Sequence, residues 1–124
     1  MYRISKTVGF SAAHQVRECG GACERLHGHN WKVIAHLAAA KLDELGMVID
    51  FKEIKRALTE ILEPLEHNLL NEVAPFDRQN PTSENLARYV HDGLAERLEN
   101  ERVRISRVDV WETEASCASY SPEE

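Results

Sequence analysis

The sequence predicts an α+β domain with an antiparallel four-stranded sheet and two helices on one of its faces. Two observations carry this. Apolar and polar residues alternate over 2 to 14 and again from 27 to 37, while apolar residues recur at helical spacing over 51 to 62 and 86 to 98. Strands and helices also come in runs (strand, strand, helix, helix, strand, strand) rather than in alternation. The length of 124 residues suits a single domain, 1–124, with a modest core.

Each element follows from its residues. Tyr2, Ile4, Val8, Phe10, Ala12 and His14 share one parity, broken by Lys6, as in a half-buried strand. Gly20-Gly21 marks a loop over 15 to 26. His27, His29, Trp31, Val33, Ala35 and Leu37 then share a face. K-L-D-E-L-G makes a turn, and M-V-I-D is expected to be a short extended piece. Asp50, with Glu53 three residues on, predicts a capping box. Phe51, Ile54, Leu58, Ile61 and Leu62 continue that helix toward Pro64. Residues 64 to 81 read as irregular, and P-T-S-E opens a second helix with Leu86, Val90, Leu94 and Leu98 as its stripe. E-R-V-R-I-S-R-V-D-V-W-E-T is a strand, and a shorter one follows through Tyr120. The edges of such a sheet must be paired or blunted, which points to oligomerisation.

Composition narrows the function classes. A formal charge of -6 offers no basic footprint for nucleic acid and none for an anionic membrane surface. The N-terminal residues lack the apolar run of a signal peptide, and no apolar run is long enough to span a bilayer, so a soluble cytoplasmic protein is expected. The three cysteines, Cys19, Cys23 and Cys117, are an odd number; free thiols are expected rather than a disulfide framework.

The chemistry concentrates in C-E-R-L-H-G-H-N-W, residues 23 to 31. His27 and His29 lie two apart, so in a strand both imidazoles project to one face. His14 ends the preceding strand on its apolar parity, and pairing of the two strands would return it to His27. Three neutral imidazoles that leave one position open make a catalytic zinc arrangement, although H-x-H on a strand also arises without a metal. His36 falls on the other parity and His91 in the second helix; both read as surface or packing residues.

Three further groups have two readings each. Glu112 shares its parity with Val108 and Val110, where a carboxylate is costly to bury unpaired. Either it accepts N–H groups from a ligand, such as the amino-pyrimidinone edge of a pterin or guanine, or the strand ends before it and it is solvated. Cys23, in the loop feeding the histidines, is either a thiolate stabilised by a metal or an inert thiol. Glu66-His67 is either a carboxylate–histidine relay or a histidine favoured by a helix C-terminus.

The sequence resembles the 6-pyruvoyl-tetrahydropterin synthase / 6-carboxytetrahydropterin synthase family. F-S-A-A-H at 10 to 14, C-E-R-L-H-G-H-N at 23 to 30, V-I-D-F at 48 to 51, L-E-H-N-L-L-N at 65 to 71, N-P-T-S-E-N at 80 to 85 and W-E-T at 111 to 113 carry the resemblance, in order and over nearly the whole chain. The resemblance implies the tunnelling fold (T-fold) and a cytoplasmic homohexamer with active sites between subunits. It implies zinc held by His14, His27 and His29, Cys23 as catalytic proton acceptor, and His67 as second acid/base oriented by Glu66. Glu112, with Thr113 beside it, would anchor the pterin ring. Asp is usual before that histidine, so Glu66 is a departure that puts the relay geometry in question. The implied reaction is that of a carbon–carbon lyase. It converts 7,8-dihydroneopterin triphosphate to 6-carboxy-5,6,7,8-tetrahydropterin, acetaldehyde and triphosphate, and so feeds queuosine synthesis.

Spacing separates the branches of the family. Cys23 satisfies the C-x-x-x-H-G-H of the carboxytetrahydropterin branch. Glu24 satisfies the E-x-x-H-G-H of a folate branch that releases 6-hydroxymethyl-dihydropterin, unless it is a solvated loop residue. A non-catalytic zinc-binding module is a third reading, with Cys23 as a fourth ligand. The spacing of Cys19 to His27 fits none of these branches.

Overall fold

A computed structural model describes residues 1–122. Its sheet has strand order β1-β2-β3-β4, with β1 at Tyr2–His14, β2 at His27–Ala39, β3 at Arg104–Thr113 and β4 at Ser116–Tyr120. All neighbours are antiparallel. Helices α1 (Phe51–Leu62) and α2 (Ser83–Leu98) cover one face. The predicted alternation sets the register. Phe10, Trp31, Val33, Ala35, Leu37, Val108 and Val110 all point under the helices and are buried. They meet Ile54, Leu58 and Ile61 of α1 and Leu86, Val90 and Leu94 of α2 in one core. Gly93 permits close approach of the helices, because a Cβ there would meet Ile61 at 3.0 Å.

Asp50 caps α1 by accepting from the Lys52 backbone N–H at 2.8 Å, but no side-chain bond from Glu53 back to the cap completes a box. Phe51 is half exposed and leaves the apolar stripe to Ile54, Ala57, Leu58, Ile61 and Leu62. The M-V-I-D stretch is not a strand. Its backbone is satisfied instead by the Arg102 guanidinium, which donates to the carbonyls of Met47 and Val48. Thr82 caps α2 through the Asn85 N–H.

The irregular stretch between the helices is anchored by Leu65, Leu70 and Phe76, none of them exposed. It also covers part of the β1 edge: the His67 N–H donates to the Ser11 carbonyl, the Ala13 N–H donates to the Asn68 carbonyl, and the Ser11 N–H donates to the Glu66 carboxylate. Among the described residues, the opposite face of the sheet carries no layer of secondary structure.

Candidate active site

Pairing of β1 with β2 places His14 opposite His27 and Ala12 opposite His29. The predicted return of His14 is therefore a direct consequence of strand register. Beside them in the sheet β3 brings Glu112, and the side chains of His14, His27, His29 and Glu112 converge so that one ligand atom from each lies within 4.8 Å of the others. His14 Nε2 stands 3.0 Å from His27 Nε2. Glu112 Oε2 lies 3.1 Å from His14 Nε2 and 2.9 Å from His29 Nε2. Glu112 is thus not left in solvent; its carboxylate sits against the imidazoles.

Backbone carbonyls set the tautomers. His14 Nδ1–H donates to the Pro81 carbonyl at 2.7 Å, and His27 Nδ1–H donates to the Arg25 carbonyl at 2.6 Å. In the neutral rings both Nε2 atoms are then acceptors, and they face each other and a carboxylate. Burial pushes the His29 imidazole below its ordinary value; Glu112 opposes that, while His14 and His27 reinforce it. Its Nε2 is buried without a well-aligned hydrogen bond. Two imidazole acceptors converging beside a carboxylate are what a cation resolves. Zn–N bonds of about 2.0–2.1 Å would set neighbouring tetrahedral nitrogens roughly 3.3 Å apart, close to the spacing here. The donor set fits a metal ion of the zinc class.

Sequence reasoning missed the side chains that hold this site together. Asn71 accepts from the Gln15 N–H and donates to the Gln15 carbonyl. Asn80 does the same for Arg17, accepting its N–H and donating to its carbonyl. The two amides act as strand surrogates that pin the chain leaving His14. The Arg17 guanidinium closes the arrangement on the carbonyls of Phe76 and Gln79. Both asparagines stand within the quoted motifs, but their partners lie 56 and 63 residues away.

The remaining candidates are placed apart. His67 adopts a left-handed backbone with φ 60° and is 79% exposed at the β1 edge, 3.3 Å from the Glu66 carboxylate. It does not join the imidazole cluster of its own chain. Glu66 Oε1 also accepts the Ser11 N–H, so the longer residue in place of Asp still reaches its histidine. Thr113 ends β3 and accepts the Ala115 N–H. Glu24, half-buried in a short turn at Ala22–Glu24, is not among the groups gathered at the histidines.

The expectation of three free thiols is corrected: Cys19 and Cys23 are joined in a disulfide, and Cys117 alone is free. An odd count excludes complete pairing but not one pair. The four-residue spacing closes because Glu18 and Gly20 both turn through positive φ, at 59° and 77°. His36 and His91, read as surface or packing residues, lie outside the imidazole cluster. His91 is buried, with Nε2 3.2 Å from the Ile105 carbonyl, and His36 pairs with Asp109.

The comparisons agree with this geometry. The family model for 6-pyruvoyl tetrahydropterin synthase matches residues 3–123. The chain is 35% identical over 126 residues to the 6-carboxy-5,6,7,8-tetrahydropterin synthase of Synechocystis, covering 97% of this chain and 93% of that one. It is 32% identical over 129 residues to the protein of the same name in Bacillus subtilis, covering 98% and 86%. The structure of Caenorhabditis elegans 6-pyruvoyl tetrahydropterin synthase superposes with a TM-score of 0.87 at 26% identity, over 98% of this chain and 96% of that one. No helix among the described residues is long and apolar enough to cross a membrane. A T-fold sheet with a histidine cluster at the end of its first two strands, and a family match over nearly all its length, lead to one conclusion: the chain belongs to the 6-pyruvoyl tetrahydropterin synthase family.

Proposed function

We propose that this chain is a zinc-dependent 6-carboxy-5,6,7,8-tetrahydropterin synthase acting on 7,8-dihydroneopterin triphosphate in the cytoplasm. The observation that carries the reading is the convergence of three imidazoles, two with Nε2 freed by carbonyl bonds at Nδ1. His14, His27 and His29 would hold the zinc ion. When bound, it supplies a Lewis acid that lowers the cost of charge on the substrate's side-chain oxygens. Cys23, as a reduced thiolate, accepts a side-chain proton. His67, oriented by Glu66, moves protons on the opposite side. Glu112 exchanges its present contacts for the N–H groups of the pterin edge, with Thr113 beside it. Elimination of triphosphate, addition of water and a retro-aldol cut then yield 6-carboxytetrahydropterin and acetaldehyde, for 7-deazaguanine and queuosine synthesis.

The placement of His67 supports a shared site. It is exposed and separate from its own chain's imidazoles, so Glu66 and His67 would complete a neighbour's centre in a homohexamer. Two other readings each rest on one observation. Glu24 is half-buried in the loop that precedes the histidines, which suits the folate-branch reaction releasing 6-hydroxymethyl-dihydropterin. Glu112 occupies the fourth position beside the histidines, which suits a closed, non-catalytic zinc module with Glu112 rather than Cys23 as the fourth ligand.

The test is incubation of the reduced, zinc-loaded protein with dihydroneopterin triphosphate, with products identified by mass. Carboxytetrahydropterin with acetaldehyde supports the main reading. Hydroxymethyl-dihydropterin shifts it to Glu24. Absence of any product, with zinc firmly bound, favours the closed module.

A further inference from the structure

We infer that the loop between β1 and β2 is an oxidation site in which Cys19 captures Cys23 as a disulfide, withdrawing the reaction's proton acceptor and returning it on reduction. The inference rests on the assignment of Cys23 as that acceptor.

Several features of the loop suit a reversible bond. The two cysteines are joined across a Cα separation of 6.3 Å, within the range a disulfide spans without backbone rearrangement. Their surroundings differ. Cys23 is half-buried and held in place by the backbone: its carbonyl accepts the Val16 N–H at 2.9 Å, and the turn around it is closed by Glu24 N–H to Gly21 and Arg25 N–H to Ala22. Val16 in turn sits between the two residues clamped by Asn71 and Asn80. Cys19 is exposed, and the adjacent Gly20 and Gly21 border open space: a Cβ at either would meet nothing within 4 Å beyond its chain neighbours. The Cys19 arm can therefore swing away while Cys23 and the histidines stay fixed, since His14 and His27 keep their own carbonyl anchors.

The ring closed by this bond is short, so it removes little chain entropy from the unfolded state. That argues against a structural staple. The third thiol competes poorly: burial pushes Cys117 above its ordinary value, and the Asp109 charge adds to this.

The oxidant is a low-molecular-weight disulfide, RS–SR. The exposed Cys19 thiolate attacks one of its sulfurs, forming the mixed disulfide and releasing RS–, which takes up a proton as RSH. The Cys23 thiolate then attacks the Cys19 sulfur, forming the Cys19–Cys23 bond and releasing the second RSH. Two protein thiols lose two electrons and two protons, and RS–SR gains them.

The experiment equilibrates the zinc-loaded protein across a series of oxidised-to-reduced glutathione ratios. Each sample is divided for alkylation with peptide mass mapping, for zinc content, and for turnover of dihydroneopterin triphosphate. The Cys19–Cys23 cross-linked peptide is expected to accumulate with constant zinc, as turnover falls about 100-fold or more. Dithiothreitol should reverse both changes. Cys19→Ser should show no cross-link and keep turnover wherever Cys23 remains alkylatable. If both cysteines stay separately alkylatable, or carry only glutathione adducts, the oxidation site is overturned and the role of Cys23 stands. If fully cross-linked protein turns over at the reduced rate, the switch falls together with Cys23 as proton acceptor.

Discussion

Two clusters of histidine and carboxylate lie on opposite faces of one sheet, and they solve the same electrostatic problem differently. On the open face, Asp109 is buried, yet each of its oxygens meets a donor: His36 Nε2 at 2.7 Å, Arg107 Nε at 2.9 Å and the Ser119 hydroxyl at 2.5 Å. Burial alone would raise its carboxyl. The Ser119 and His36 hydrogen bonds, the His36 charge and the Arg107 bond outweigh that and hold it below its ordinary value of 3.8. On the helix-covered face, the Nε2 acceptors of His14 and His27 face each other and the Glu112 carboxylate, with His29 beside them. The open-face cluster is closed by its own donors, whereas the covered-face cluster gathers ligand atoms that could hold a metal ion. Histidine and carboxylate therefore diverge in role through what their other polar atoms meet.

The largest expected effect breaks the covered-face cluster. His27→Ala should lower zinc affinity by more than the 10–100-fold typical of lost supporting contacts, read by chelator competition. Full zinc retention would sink the three-histidine assignment. Cys23→Ala sharpens the same side: zinc should stay bound while turnover of reduced protein drops about 10²–10⁴-fold. Loss of zinc in that variant would instead make Cys23 a ligand.

Asn80→Ala removes both hydrogen bonds to the Arg17 backbone. It should cost roughly 2–3 kcal/mol in denaturant unfolding. A variant as stable as the parent would show that the clamp is redundant with Asn71.

The smallest effect tests the closed cluster. Asp109→Asn should destabilise the fold by roughly 1–2 kcal/mol at neutral pH. The folded carboxyl lies below its ordinary 3.8, so the stability it contributes is complete above that value and is lost as pH falls through the folded value. The gap between parent and Asp109→Asn should therefore narrow below about pH 4. A gap that is constant with pH would mean the charge contributes nothing.

Much of the site was legible from local pattern. Strand parity alone put His14, His27 and His29 on one face, and the antiparallel register then made His14 and His27 neighbours. Glu112 was legible only as a carboxylate on a valine face; that it meets imidazoles depended on β3 lying beside β2. Asp109 has the opposite parity to Val108 and Val110 and lies on the open face with His36. Its burial comes from His36, Arg107 and Ser119, contributed by three separate strands.

The sequence by itself determined the strands, the helices, the cap at Asp50, the opening of the second helix at P-T-S-E, and the shared face of the histidines, because these depend on residues within a turn or a pleat of one another. Tertiary structure alone decided the rest. It closed Cys19 on Cys23 through two positive-φ residues, sent His67 to an exposed edge, and set Asn71 and Asn80 against a strand end some sixty residues earlier. The physical reason is that a side-chain amide, a thiol or a carboxylate has no periodic signature. Its role is fixed by the polar atom it meets, and chain folding, not spacing, chooses that atom.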